Sequence, residues 1–223
     1  MSRTKLKDRK LPDYTKGEEI FNMVSHIVGG AFGIAVLALC VIFSCLHRNW
    51  WGLGSGIFYG CMMIFLYTMS SVYHGLRPSM GKKVMQVLDH CTIYALILGT
   101  YAPILCAWLR KVNLVLFIVV CALLIAATAV GVTFTAIDFK KYRVLSYASY
   151  FVIGWVAIFG LVSLYKFYGL EFILWLVGGG VAYTSGMIFF GLGIKHRYMH
   201  SVFHLFILAG SVLQFVGIFK YCI

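Results

Sequence analysis

Seven long apolar runs, separated by short polar connections, dominate the pattern of this chain. They cover residues 23–46, 52–74, 85–109, 112–134, 145–165, 171–193 and 199–219. A helix needs about 20 predominantly apolar residues to cross a bilayer, and each run meets that length. The pattern predicts an all-α, polytopic membrane protein, with a basic N-terminal segment over 1–22 and one seven-helix transmembrane domain over 23–223.

Composition excludes the soluble alternative. Of the 223 residues, 61% are hydrophobic and only 12% are charged. A soluble domain of this length cannot bury so much apolar surface. We therefore expect a multi-pass integral protein of the cell membrane, with membrane lipids as its surroundings and as its candidate ligands.

The net charge of +12 would also suit a nucleic-acid-binding protein, but its distribution favours a membrane. Six Lys or Arg precede the first run, and the second, fourth and sixth loops add three, three and two. Only five lie on the opposite side. Since basic residues concentrate in the cytoplasm, we expect a cytoplasmic N-terminus and an external C-terminus. The charges then set topology and contact anionic lipids, so no nucleic-acid partner is expected.

Small residues and one proline predict where the helices pack closely or deviate from regularity. Pro103 is expected to kink the third helix, and the Gly178–Gly180 triplet is expected to loosen the sixth. Two pairs of glycines four residues apart predict close helix contacts: Gly29 with Gly33, and Gly56 with Gly60.

The informative residues are the ionisable side chains inside the runs. An ionised group at mid-bilayer costs about 2.5–3.5 kcal/mol, so such residues are functional candidates. The predicted topology places His74 at the end of the second helix and Asp89 near the start of the third. His200 and His204 occupy the first two turns of the seventh. Residues from three helices therefore lie at one depth, on the cytoplasmic side.

The spacing of these histidines predicts a metal site. His200 and His204 stand four apart on one helix face, so both can bind one ion. His74 would complete a three-histidine set that leaves one tetrahedral position of the metal ion to water. The alternative is a pair of interfacial histidines that hydrogen-bond to backbone or to lipid headgroups.

Two further residues are candidates for catalysis beside the metal. Asp89 is assigned to holding or deprotonating the water, and Ser70 lies one turn from His74 on the same face, where it could orient a ligand. His90 should point about 100° away from Asp89, so we expect only Asp89 to face the site. His196 is too far from His204 to share an ion and is expected to be a loop histidine.

A polar stripe enters the first helix. Glu19, Asn22 and His26 are spaced i, i+3 and i+7 and therefore share one face. A hydrogen-bonded seam between helices and a supporting role at the metal site both fit this spacing.

These residues also carry a resemblance to a known family. The segments "EEIFNMVSHIVGG", "SSVYHGL", "LDHCTIYALILGTYAP" and "HSVFHLFILAGS" resemble the hemolysin III proteins, the bacterial-type branch of the progestin and adipoQ receptor superfamily. That superfamily has Ser-x3-His in the second helix, Asp in the third and His-x3-His in the seventh. Ser70, His74, Asp89, His200 and His204 match the pattern. The resemblance implies seven helices with the N-terminus inside, and zinc bound by the three histidines.

Three functions fit this description. The first is a zinc-dependent hydrolase of a lipid amide or ester that acts in membrane-lipid homeostasis, with Asp89 and Ser70 as catalytic residues. The second is a non-enzymatic sensor of the membrane state, or a receptor, with structural zinc. The third is the pore-forming haemolysin or cytolysin that the family name implies. A pore predicts a continuous polar stripe, whereas the polar residues cluster on one side of the membrane.

Overall fold

A computed structural model describes residues 4–223 and contains only helices and their connections among them. Seven helices are long and apolar enough to cross a membrane, which confirms the predicted fold class. They are α1 Lys16–Leu46, α2 Trp50–Gly75, α3 Met80–Val112, α4 Leu114–Asp138, α5 Arg143–Tyr168, α6 Leu170–Leu192 and α7 Met199–Cys222. Arg3, one of the basic residues counted above, lies outside the described residues.

Helix α1 begins seven residues before the apolar run that predicted it. The Thr15 side chain accepts a hydrogen bond from the Glu18 backbone N–H, and the Glu18 carboxylate accepts one from the Thr15 N–H. This reciprocal capping box satisfies backbone groups that a helix start otherwise leaves unpaired. Its consequence is that Glu18, Glu19 and Asn22 lie on helical turns with fixed directions.

The bundle has two ends. Helices α1, α3, α5 and α7 begin at the end that we call the N-terminal face, and α2, α4 and α6 finish there. Helix α1 packs along α2, α2 along α3, α6 along α7, and α1 also contacts α7. Two glycines allow this close approach, since a Cβ on Gly29 would lie 2.4 Å from the Tyr67 ring and one on Gly60 would lie 2.7 Å from Leu37.

Two helices depart from regular α geometry. After Pro103, α3 continues through a π-helical turn over Leu105–Leu109. Helix α5 is interrupted by the 3-10 segment Val156–Gly160, whereas α6 is continuous through Gly178–Gly180. Our expectation of a loosened sixth helix is therefore wrong, because the glycines there remain fully helical.

Side chains of neighbouring helices satisfy the backbone groups that the α5 interruption frees. The Tyr101 hydroxyl donates to the Gly154 carbonyl at 2.9 Å and accepts from the Ala157 N–H at 3.1 Å. Such pairing is what permits a broken helix within a membrane domain.

Candidate metal centre

Three imidazoles from two helices converge at the N-terminal face. His74 lies on the last turn of α2, and His200 and His204 lie on the first turns of α7; all three are buried. Their ligand atoms lie within 4.8 Å of one another. This cluster can bind a metal ion.

The distance between the two imidazoles of α7 suits ligands of one metal ion. The Nε2 atoms of His200 and His204 are 3.2 Å apart. Two imidazoles bound to one tetrahedral zinc at about 2.0–2.1 Å would place their nitrogens about 3.3 Å apart. The His74 Nε2 atom is buried and has no hydrogen-bond partner among the described residues. The donor set is therefore three imidazole nitrogens, a set that zinc sites use.

A carboxylate and a lysine orient His74. The His74 Nδ1–H donates to Glu19 Oε2 at 2.6 Å, which leaves the lone pair on Nε2. The Lys82 ammonium donates to Glu19 Oε1 at 2.6 Å and to the Leu76 carbonyl at 2.9 Å. A carboxylate on the second nitrogen of a metal-binding histidine fixes its tautomer and ring orientation. Glu19, whose role the sequence left open, thus holds His74 in the orientation that a metal requires.

A hydrogen-bond relay from α1 orients His204. The Ser25 hydroxyl donates to the Asn22 carbonyl at 3.0 Å, so its oxygen is free to accept from His204 Nδ1–H, 3.3 Å away. The Asn22 side-chain oxygen accepts from the Ser201 hydroxyl at 2.7 Å. The lone pair of His204 is thereby directed, like that of His74, through Nε2 into the cluster.

The start of α7 is fixed by an unusual backbone conformation. Tyr198, which precedes the helix, has φ 61°, a left-handed conformation that is uncommon for residues other than glycine. Its N–H donates to Glu18 Oε1 at 2.7 Å, and Arg197 contacts the other oxygen of the same carboxylate at 3.4 Å. Glu18, which belongs to the α1 capping box, therefore also sets where α7 begins, one residue before His200.

Asp89 and Ser70 lie beside the cluster without belonging to it. Both line a cavity of about 130 Å³ that also contacts His200 and His204. Neither side chain makes a hydrogen bond to another residue within 4–223. This arrangement suits groups that act on a ligand or on water, and their catalytic roles remain predictions.

Three other histidines that the sequence singled out have different surroundings. His196 is exposed in the turn before α7, as predicted for a loop histidine. His90 lines the same cavity as Asp89, and the expectation that only Asp89 faces the metal site stays a prediction. The cavity extends over several turns of α3, and consecutive residues therefore border it on different sides. His26 is buried against His204, with ring centroids 3.7 Å apart.

The N-terminal segment covers the centre. The Tyr14 ring stacks on His200 with centroids 5.0 Å apart and lies 5.8 Å from His74. Burial, with the negative charges of Asp89 and Glu19 adding to it, raises the pKa of the Tyr14 phenol, so its hydroxyl stays neutral. Hydrogen bonds hold the segment to α3, α4 and the start of α7: Thr4 N–H to Asp138, Lys83 to Lys7, Arg9 to Ala136 and Ile137, and Arg197 to Asp13.

Sequence reasoning missed four residues of this centre, and the sequence carries a signal for only one of them. Glu18 stands three residues after Thr15, which is the capping-box spacing. Ser25, Lys82 and Tyr14 gave no comparable signal, because each matters through a contact with a residue far away in the chain.

Comparisons with known proteins agree with this architecture. Residues 14–215 match the family model "Haemolysin-III related". The chain is similar to the "Hemolysin-3 homolog" of Bacillus subtilis (strain 168), with 32% identity over 94% of this chain and 97% of the relative. It is similar to "Hemolysin-3" of Bacillus cereus, with 32% identity over 92% and 91% of the two chains. It is also similar to the human "Monocyte to macrophage differentiation factor", with 26% identity over 79% of this chain and 75% of the relative.

Proposed function

This chain belongs to the haemolysin III-related family of integral membrane proteins, and we propose that it hydrolyses an amide or ester bond of a membrane lipid with zinc as its cofactor. Hydrolysis adds one water across the scissile bond and releases a carboxylic acid with an amine or alcohol. Its biological role would be membrane-lipid homeostasis.

The observation that carries this proposal is the cavity that opens from the histidine cluster. On α3 its lining runs from Asp89 to Ile104, a distance of about 22 Å along a helix. Beyond the polar end, most of its lining is apolar, with Leu96, Ile97 and Ile207 as examples. A narrow apolar cavity with a few polar groups at one end fits a lipid chain with its head at the histidines.

Two lining residues support access from the bilayer. Phe151 and Ile158 on α5 line the cavity and are 46% and 52% exposed. Ile158 lies within the interruption of α5, and Phe151 lies before it. An opening toward the bilayer at this point would let a lipid enter without crossing water.

Several residues of the chain would each have a role in the reaction at the polar end of the cavity. His74, His200 and His204 would hold zinc, which when bound polarises a carbonyl and acidifies water. Asp89 would accept a proton from the attacking water and pass it to the leaving group. The Ser70 hydroxyl would donate a hydrogen bond to the oxygen that becomes negative during the reaction. Tyr14 would exclude bulk water from the open end.

We propose further that the N-terminal face lies in the cytoplasm, so that the site acts on inner-leaflet lipids. The basic residues of that face support this orientation. The test is labelling of intact cells with an impermeant thiol reagent, in a background that lacks the seven native cysteines. We expect Lys111→Cys to be labelled and His196→Cys to be protected. The reverse pattern would contradict the orientation.

A structural role for zinc in a sensor or receptor is the second candidate. Helix α7 packs mainly against α6 and α1, so a metal bound by His74, His200 and His204 would add a link between α2 and α7. The pore has less support, because the cavity changes from polar to mainly apolar along its length.

The deciding experiment is incubation of the purified zinc-loaded protein with a panel of lipids, followed by mass spectrometry of the products. The matched control is Asp89→Asn, which keeps the size of the side chain and removes its basicity. We expect a fatty-acid product from the parent and at least a hundredfold less from the control. Release of dye from liposomes without any lipid product would favour the pore instead.

A further inference from the structure

His26 packs on the histidine cluster, but neither the cluster nor the proposed mechanism uses its imidazole. It lies on α1 and is 3% exposed. Its ring stacks on His204 with centroids 3.7 Å apart and planes 16° apart, and it meets the Tyr67 ring edge to face at 5.0 Å. The ring is therefore fixed in position by its neighbours on two sides.

Both nitrogens of this fixed ring are unpartnered. His26 Nδ1 and Nε2 are buried and make no hydrogen bond to any described residue. A buried polar group without a partner costs about 1–3 kcal/mol, and native proteins keep few of them. A pure packing role would be better filled by an apolar ring, so the two nitrogens call for a partner from outside the chain.

The cavity is the place from which such a partner can come. His26 lines it together with Ser70, Asp89 and the two α7 histidines. A neutral imidazole offers one N–H donor and one lone-pair acceptor. A charged headgroup would be costly in this mainly apolar cavity, whereas an uncharged group that both donates and accepts would satisfy the ring.

We infer that His26 is a ligand-contacting residue, which hydrogen-bonds to the uncharged polar head of a single-chain lipid bound in the cavity. The inference rests on the proposed function for the identity of the ligand as a lipid, but it does not require that the lipid be hydrolysed. His26 would bind and orient the head next to the histidine cluster, while the chain fills the apolar part.

The test compares two substitutions at this position. His26→Leu removes both hydrogen-bonding atoms, and His26→Asn keeps one donor group and one acceptor. The probe is N-hexadecanoylethanolamine, an uncharged single-chain lipid, and its dissociation constant is measured on zinc-loaded protein in detergent. The melting temperature without probe and the zinc content are recorded for each variant.

We expect His26→Leu to weaken probe binding by about tenfold, the equivalent of one lost hydrogen bond, without lowering the melting temperature or the zinc content. His26→Asn should stay within about threefold of the parent. Equal probe affinity in the parent and in His26→Leu would overturn the inference, as would a large loss of stability in His26→Leu. Failure of the parent to bind the probe would also overturn it.

Mass spectrometry of the same samples separates this inference from the proposed function. Probe binding that depends on His26 without any product would support the inference and contradict hydrolysis of this lipid. Product formation with equal rates and affinities in the parent and His26→Leu would support hydrolysis and contradict the role of His26.

Discussion

Two glutamates near the starts of their helices each bind a lysine at the same distance, in very different surroundings. Glu19 Oε1 lies 2.6 Å from Lys82 Nζ at the N-terminal face, and Glu171 Oε1 lies 2.6 Å from Lys220 Nζ at the other end. The side chains of the first pair are 20% and 4% exposed, and those of the second are 51% and 53% exposed.

The difference between the pairs is what each carboxylate does with its other oxygen. The second oxygen of Glu19 accepts from His74 and thereby directs that ring into the histidine cluster. The second oxygen of Glu171 accepts from Lys220 again and from Tyr221, at an exposed position. The two ion pairs have the same length, but only the one at the N-terminal face helps to orient a histidine of the cluster. The other lies on the surface. Burial decides whether breaking such a pair has a consequence.

The largest effect is expected from removing two of the three imidazoles of the histidine cluster, which the buried pair of Glu19 and Lys82 supports. His200→Ala combined with His204→Ala should abolish metal binding, because two of three imidazoles are lost. A chelator should lower the melting temperature of the parent in detergent, since a bound metal stabilises the folded state by mass action. The double variant should show no such response. An equal response in both proteins would mean that His200 and His204 bind no metal.

Acidification should have the same consequence as the chelator in the parent. An imidazole must be neutral to bind a metal, so protons compete with the metal for the ring nitrogens as the pH falls. The metal-dependent part of the stability is thus present at neutral pH and lost as the pH falls. A chelator effect on the melting temperature that persists undiminished at pH 5 would contradict this expectation.

The next largest effect is expected from the buried pair itself. Glu19→Gln should lower zinc affinity by about 10–100-fold, the usual range when the partner of a metal-binding histidine is changed. Lys82→Met should also destabilise the protein, toward the lower end of the about 3–5 kcal/mol typical of a buried pair that loses one member. Competition with a fluorescent zinc chelator and thermal unfolding measure these quantities. Wild-type zinc affinity in Glu19→Gln would contradict the role of Glu19 in orienting His74.

A smaller effect on the metal is expected at Asp89. Asp89→Asn should keep most of the zinc, because its carboxylate is not among the clustered ligand atoms. Zinc content by elemental analysis, alongside the lipid assay, checks this separation of binding from reaction. Loss of zinc in Asp89→Asn would make Asp89 a ligand and would contradict its assignment to the water.

The smallest effect is expected from the exposed pair, which serves as the matched control for the buried one. Glu171→Gln should leave the melting temperature and the zinc affinity unchanged, because exposed ion pairs contribute little. A loss of stability in Glu171→Gln as large as that in Lys82→Met would contradict the comparison between the two ends.

The sequence predicted the fold and the histidine cluster because both depend on local periodicity. Apolar runs of membrane-spanning length predicted the seven helices, and the i, i+4 spacing placed His200 and His204 on one face. His74 followed from topology, since it fell at the same depth. Each of these inferences needed only the pattern of one helix and the direction in which that helix crosses the membrane.

The sequence could not predict the groups that hold the cluster in place. Lys82 reads as one more basic loop residue, yet it is buried against Glu19 because α3 begins beside α1. Tyr14 reads as part of a polar segment, yet it stacks on His200. The cavity shows the same limit: a projection along one helix does not show how far a cavity extends between several helices, so the sequence did not predict that Asp89 and His90 border the same one.

The measurement that most directly tests the central claim is the zinc content of purified protein, determined by elemental analysis on the parent and on His74→Ala. His74 is the decisive residue, because it is the ligand contributed by a second helix and the one that Glu19 orients. We predict about one zinc per chain in the parent and almost none in His74→Ala. A parent without zinc, or equal zinc in both proteins, would contradict a metal centre built from these three histidines.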